Sequence, residues 1–311
     1  MNISDIDWVT QPKNRNTSRV ANRTATNKLE ALLLSKLDSV DCQLFKPSID
    51  DVLGLGRRAA VSAHASNITT RARISEALGE QVRREWEIGG ERQLFFLTFA
   101  PDEWLISSVV PVTRLKAMRA KLSRFLKELD VTAIGFFELC VFLNHPLGTD
   151  ERLYGWHVDA IAVPADIAAF KNRARRLKKK LGRNSLGRFV FDRRPIKREM
   201  WDVTYTSAYA MKNSASAKRA TPENGRPTRF KLRNAPCPAH DAIRVAEIQS
   251  YFDVRDLVVT RGGAGWRWRQ RLFEGFDAIF KCRVSSILRP TELDKMWRSI
   301  SPTKCRPRVQ R

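Results

Sequence analysis

No Gly-Lys-Ser or Gly-Lys-Thr triplet occurs in the chain, which excludes an ATP-binding phosphate loop and a built-in helicase motor. No Gly-x-Ser-x-Gly elbow and no Cys/His pairing argues for acyl transfer. Long apolar runs are lacking too. The longest candidate, Leu94 to Val112, is broken by Asp102 and Glu103 and is too polar to span a bilayer. The stretch Met1 to Trp8 is polar and acidic, without the apolar segment of a secretory signal. Cysteine is sparse and odd in number, with Cys42, Cys140, Cys237, Cys282 and Cys305 scattered along the chain. That pattern speaks against a disulfide framework and for reduced thiols in a cytoplasmic protein. No membrane partner is expected.

Acidic residues are the other shortage. The 33 Asp and Glu face 56 Lys and Arg, leaving a formal charge of +23 and a pI near 10.4. Such an excess attracts polyanions, of which nucleic acid is the commonest in a cell. A ribosome or an anionic membrane would satisfy the same charge, so it selects no activity by itself. With 311 residues, 43% of them apolar, the chain can bury one large core or two modest ones.

Residues 1–27 are rich in Asn, Thr, Ser and Arg and are expected to be disordered. A helical accessory region is expected over residues 28–90. It holds a leucine-rich helix, Lys28 to Leu37, and a second helix, Thr69 to Trp86, with Ile74, Leu78, Val82 and Trp86 at near-helical spacing before Gly89-Gly90 breaks it. Residues 91–213 carry the strongest patterning. Gln93 to Ala100, Ala133 to Leu143 and Leu153 to Val163 read as strands, and Phe189 to Asp192 as a short edge strand. Pro111 to Leu129 reads as an amphipathic helix burying Leu115, Met118, Leu122, Phe125 and Leu129. Pro164 to Leu181 is a basic helix, and Glu199 to Asn213 a helix of middling propensity. Residues 214–238 have linker composition, residues 239–300 read as a basic accessory domain, and residues 301–311 as a disordered basic tail.

Three constellations carry chemistry. His157 and Asp159 stand two apart in an apolar run, so a strand points both to one face. Imidazole with carboxylate makes a mixed N/O set suited to Mg²⁺ or Mn²⁺. Glu138, a charge inside the preceding apolar run, would oppose His157 if the hairpin centred near Leu147 and Gly148. A solvated antiparallel face with ordinary polar residues fits the same alternation. Tyr205 and Tyr209, four apart, stack on one side of a helix with Lys212 a turn beyond, as a nucleophile pair or as two aromatics resting on a core. Lys171, Arg173, Arg175, Arg176, Lys178, Lys179, Lys180, Arg183 and Arg188 lie in one helix and its exit with no acid among them, which points to phosphate contact. Trp266 and Trp268, interleaved with arginines, suit either base stacking or a strand with two buried indoles. Cys237 and His240 form only half a zinc motif.

In this order the pieces resemble the HUH endonuclease superfamily, and within it the rolling-circle replication initiators of plasmids and phages. Phe95-Phe-Leu-Thr-Phe99 is similar to the family's first motif, His157-Val-Asp159 with Glu138 to its metal motif, and Tyr205 through Lys212 to its Tyr-x-x-x-Tyr-x-x-Lys helix. Asp159 stands where a second His is usual, and Ala208 where relatives often carry Lys. The resemblance implies an α+β fold with a central antiparallel sheet of about five strands flanked by helices, an RRM-like palm. It further implies a divalent cation, Mg²⁺ or Mn²⁺, on Glu138, His157 and Asp159. Tyr209 or Tyr205, aided by Lys212, would then nick single-stranded or hairpin origin DNA through a 5′-phosphotyrosine and later rejoin strands. A host helicase and polymerase would be partners, since no motor lies in this chain. The alternative is an HUH-like DNA-binding protein without catalysis.

Overall fold

The structure is a computed structural model that describes residues 29–31, 33, 64–106, 112–144, 152–211, 216–223 and 226–274. Residues 29–31 and 33 are helical, while the rest of the expected Lys28 to Leu37 helix, residues 1–27, Lys212 and the 301–311 tail lie outside the described residues.

Helix α1 (Ile68–Ile88) starts where the Asn67 side chain accepts from the Thr70 amide at 2.8 Å, and it ends at Gly89. Its Ile74, Leu78, Val82 and Trp86 are buried, as their spacing required. Strand β1 (Phe95–Phe99) follows, then a short 3₁₀ turn and the two-residue strand β2 (Leu105–Ile106). Helix α2 (Val112–Leu129) buries Leu115, Met118, Leu122, Phe125 and Leu129. It leads into the long hairpin of β3 (Val131–Leu143) and β4 (Arg152–Pro164). Helix α3 (Ile167–Leu181) is capped by Asp166, which accepts from the Ala168 and Ala169 amides, and carries three lysines in its last turn where they suit the helix dipole. Edge strand β5 (Phe191–Pro195) and helix α4 (Met200–Tyr209) complete the patterned region.

Strand order β5-β1-β4-β3 with every neighbour antiparallel follows from two interleaved crossovers, β1–α2–β3 and β4–α3–β5. Each places the other's strand between its own pair, which is the split βαβ arrangement. Alternation then divides the side chains. Phe96 and Thr98 share a face with His157, Asp159 and Glu138, whereas Phe95, Leu97 and Phe99 point to the other. Phe170 of α3 packs on Phe95 with ring centroids 4.6 Å apart, so α3 covers the second face.

The chain is α+β, but the sheet is larger than five antiparallel strands. Residues 214–238 do not form a linker. They supply β6 (Ser216–Glu223) and β7 (Arg226–Ala235), a hairpin added beside β3, with the β3–β6 pairing parallel. Pairing to an existing edge overrides a composition that reads as loop. Nor are residues 239–274 set apart, the rest of the expected 239–300 domain lying outside the described residues: after helix α5 (Ala239–Ser250), strand β8 (Val258–Arg261) joins β3, and helix α6 (Gly262–Glu274) lies on β3 and α1. Among the described residues the sheet holds eight strands. No helix among the described residues is long and apolar enough to cross a membrane.

Helices α1 and α4 meet closely on the His157 face. Ser75 Oγ donates to the Ala208 carbonyl at 2.7 Å, and a Cβ at Gly79 would come within 2.6 Å of the Thr204 carbonyl oxygen. Gly79→Ala should therefore push α4 from α1 and cost about 1–3 kcal/mol in thermal or denaturant unfolding. Gly263→Ala, where the nearest foreign atom is Arg267 Nη1 at 3.6 Å, should be neutral or slightly stabilising in the same measurement.

Candidate metal centre

Glu138 stands opposite His157 in the β3–β4 ladder, the register that a hairpin centred at Leu147 and Gly148 demands. Asp159 lies two residues along β4 on the same face and is flanked on the other side by Thr98 of β1. Three strands thus deliver one cluster. His157 Nε2 is 3.5 Å from Glu138 Oε2 and 3.7 Å from Asp159 Oδ2, and the candidate ligand atoms all fall within 4.8 Å of one another. A divalent cation bound at roughly 2.1–2.3 Å to each holds such atoms about 3–4 Å apart, so little closure is needed. Among the described residues this is the one group of His, Cys, Asp and Glu with that geometry, and it can hold a metal ion.

The acids are buried, at 4% exposure each, while the His157 side chain reaches 18%. Both acids are oriented from behind. Thr98 Oγ1 donates to Asp159 Oδ1 at 2.8 Å, leaving Oδ2 for the cluster. Arg71, from the first turn of α1, brings Nη2 to 3.7 Å from Glu138 Oε1, leaving Oε2 toward His157. The Arg71 guanidinium is itself 4% exposed. Burial pulls its pKa below the ordinary arginine value, and Glu138 opposes that shift.

His157 and Asp159 open into a cleft of about 280 Å³. Its floor is the sheet, and one wall is the 184–188 loop. That loop is held by Asn184, which donates to the Ala100 carbonyl at 2.9 Å, and by Asp102, which accepts from the Ser185 amide. Tyr209 lines the same cleft, its ring 6.0 Å from Phe96. Arg188, Arg194 and Lys218 also line it, and the Arg194 guanidinium sits 4.6 Å over the Phe96 ring. Cations beside a metal-competent cluster and a phenol give the cleft the groups that a phosphodiester would need.

Other expected residues fall elsewhere. Tyr205, 7% exposed, is not part of the cleft lining and stacks behind Tyr209 with ring centroids 6.5 Å apart. Lys212 lies outside the described residues. The basic helix α3 packs on the opposite face of the sheet, and acids from other elements answer part of its charge. Arg173 meets Asp130 at 2.8 Å, Lys178 meets Asp192 at 2.6 Å and Lys180 meets Glu128 at 3.2 Å. Lys171, Arg175, Arg176, Lys179 and Arg183 are exposed, with Arg183 resting on the Phe189 ring at 4.2 Å. The tryptophan pair is corrected. It sits on helix α6, not on a strand, and a two-residue step turns about 200° on a helix, so the indoles part. Trp266 is 57% exposed, but Trp268 is 3% exposed and cannot stack on a base. His240 lies beside Asp241, which accepts from the Tyr154 hydroxyl at 3.0 Å and from Arg152, and Cys237 is buried. Those contacts tie His240, Asp241, Tyr154 and Arg152 into one network.

Sequence reasoning missed Arg71, Arg194 and Lys218 as site groups, while Arg188, expected to contact phosphate, does line the cleft. Arg71 had a signal, since it falls on the apolar stripe three residues before Ile74, where a charge asks for a buried partner. Comparison with family models, curated proteins and solved structures finds no match for the chain.

Orientation of Asp159 by Thr98 carries a direct consequence. Thr98→Val keeps a β-branched side chain on β1 but removes the donor. Mn²⁺ affinity should fall about tenfold or more, read by calorimetric or electron-spin-resonance titration, with the fold intact by circular dichroism.

Proposed function

We propose that the chain nicks single-stranded DNA through a tyrosine nucleophile assisted by a divalent cation, as the resemblance to HUH replication initiators implies. The observation that carries this reading is the sharing of one cleft by His157, Asp159 and Tyr209, from β4 and from a helix some fifty residues later. Opposed Glu138 and His157, an RRM-like interleaving of strands and a cationic lining support it further.

In this reading Glu138, His157 and Asp159 would hold Mg²⁺ or Mn²⁺, which would supply Lewis-acid stabilisation of charge on the scissile phosphate. The Tyr209 hydroxyl oxygen bonds to phosphorus as the P–O3′ bond breaks, and the proton that the phenol gives up ends on the leaving oxygen, giving a 5′-phosphotyrosine and a free 3′-OH. Arg188, Arg194 and Lys218 hold the strand by its phosphates. Tyr205 sits behind as the candidate for a second, rejoining transfer. Extension of the 3′-OH, and unwinding ahead of it, would fall to a separate polymerase and helicase.

A second reading has its own observation. Both acids already have protein partners, Glu138 in Arg71 and Asp159 in Thr98, so the cluster is also an adequate structural network. The chain would then bind origin DNA without cutting it.

Labelled single-stranded and hairpin DNAs spanning the genetic element that encodes the chain, incubated with Mn²⁺ and run under denaturing conditions, separate the two. A covalent protein–DNA adduct is expected, lost in His157→Ala and Tyr209→Phe and retained in Tyr205→Phe, with Tyr209→Phe keeping near-normal DNA affinity. Binding without any adduct on any strand, with Mg²⁺ or Mn²⁺, establishes the second reading. An adduct that survives Tyr209→Phe but not Tyr205→Phe exchanges the roles of the two phenols.

A further inference from the structure

We infer that Arg71 is an internal counter-ion that competes with the metal for Glu138, so the cation is held weakly until an anionic phosphate joins it. This inference rests on the reading of Glu138, His157 and Asp159 as a divalent-cation site.

The Glu138 carboxylate is shared. Oε1 faces Arg71 Nη2 at 3.7 Å, and Oε2 faces His157 Nε2 at 3.5 Å. Arg71 is anchored in place, its Nη1 donating to the Ala65 carbonyl at 3.3 Å, and both charged groups are buried at 4% exposure. Leaving Glu138 buried with no cation nearby would be unfavourable, so Arg71 keeps the metal-free cluster folded and preformed. The same guanidinium opposes a divalent ion. A cation bound by Glu138 Oε2 would lie on the order of 6–7 Å from a fixed positive charge in a region that water screens poorly. Arg188, Arg194 and Lys218 add positive charge along the cleft, while its further acid, Asp192, is paired with Lys178.

An incoming phosphodiester reverses that balance. Its negative charge offsets the cationic lining and offers the metal another oxygen ligand. Cation and phosphate then favour each other by the same factor, as linkage requires. The site would be occupied mainly when substrate is present.

The test titrates Mn²⁺ into the wild-type chain and Arg71→Met in the same buffer. Each is titrated with and without a short single-stranded oligothymidylate. Wild type should bind Mn²⁺ about tenfold or more tighter with the oligonucleotide present. Arg71→Met should bind Mn²⁺ alone about tenfold or more tighter than wild type and gain less from the oligonucleotide. Its metal-free melting temperature should drop and recover on adding Mn²⁺, a recovery that Arg71→Met combined with Glu138→Gln should lose. Mn²⁺ affinity in Arg71→Met equal to or weaker than wild type overturns the inference and leaves the metal reading standing. No Mn²⁺ binding to wild type in either condition removes both. Should Arg71→Met fail to fold, the wild-type arms decide: no coupling between Mn²⁺ and oligonucleotide overturns the inference.

Discussion

The pairing of β3 with β4 is the constraint on which the site depends. Strand side chains alternate, so a slip of one residue would send Glu138 to the far face and dissolve the cluster. Two 13-residue strands paired along their whole length leave no room for such a slip, because each apolar residue would change sides with its neighbour. β1 then fixes the third member. It lies on the other side of β4, sets Thr98 against Asp159 and brings Phe96 under Tyr209. Local chain direction, not a long-range coincidence, therefore aims His157 and Asp159 into the cleft.

Charge is the second theme. Two acids at 4% exposure are expensive unless paired, and the protein answers with one arginine behind Glu138 and one hydroxyl behind Asp159. Each partner occupies one carboxylate oxygen and leaves the other facing His157. The same contacts that make the cluster tolerable without metal also hold it in a shape ready for one. Helix α1, which carries Arg71, packs against α4, which carries Tyr209, so the group behind the cluster and the phenol in front share one packed unit. Basic charge is divided by the sheet. Arg188, Arg194 and Lys218 line the cleft, while α3 presents lysines and arginines from the opposite face.

Much of this was legible in the residues. Glu138 stood out as a charge within an apolar strand, and a hairpin assumed to centre near Leu147 and Gly148 set it opposite His157, the pairing that the ladder has. Helices α1 and α2 followed from stripes that are indeed buried. What was not legible depended on tertiary partners. β6 and β7 carry few apolar residues and owe their strand form to the open edge of β3. Trp266-Arg-Trp268 alternates as a strand would, yet a glycine-rich start and packing against β3 make it helical, burying one indole and exposing the other. The acids that answer α3 come from the end of α2, the turn after it and β5, none of them near α3 in sequence. Arg71 was hidden because one charge on an otherwise apolar helix face is easily read as a flank.

Diffraction from a crystal grown with Mn²⁺, recorded near the manganese absorption edge, tests the central claim most directly. The account predicts an anomalous peak about 2.0–2.4 Å from His157 Nε2 and from one oxygen each of Glu138 and Asp159. A cluster without that peak, with Glu138 drawn fully onto Arg71 and His157 turned to solvent, would contradict it.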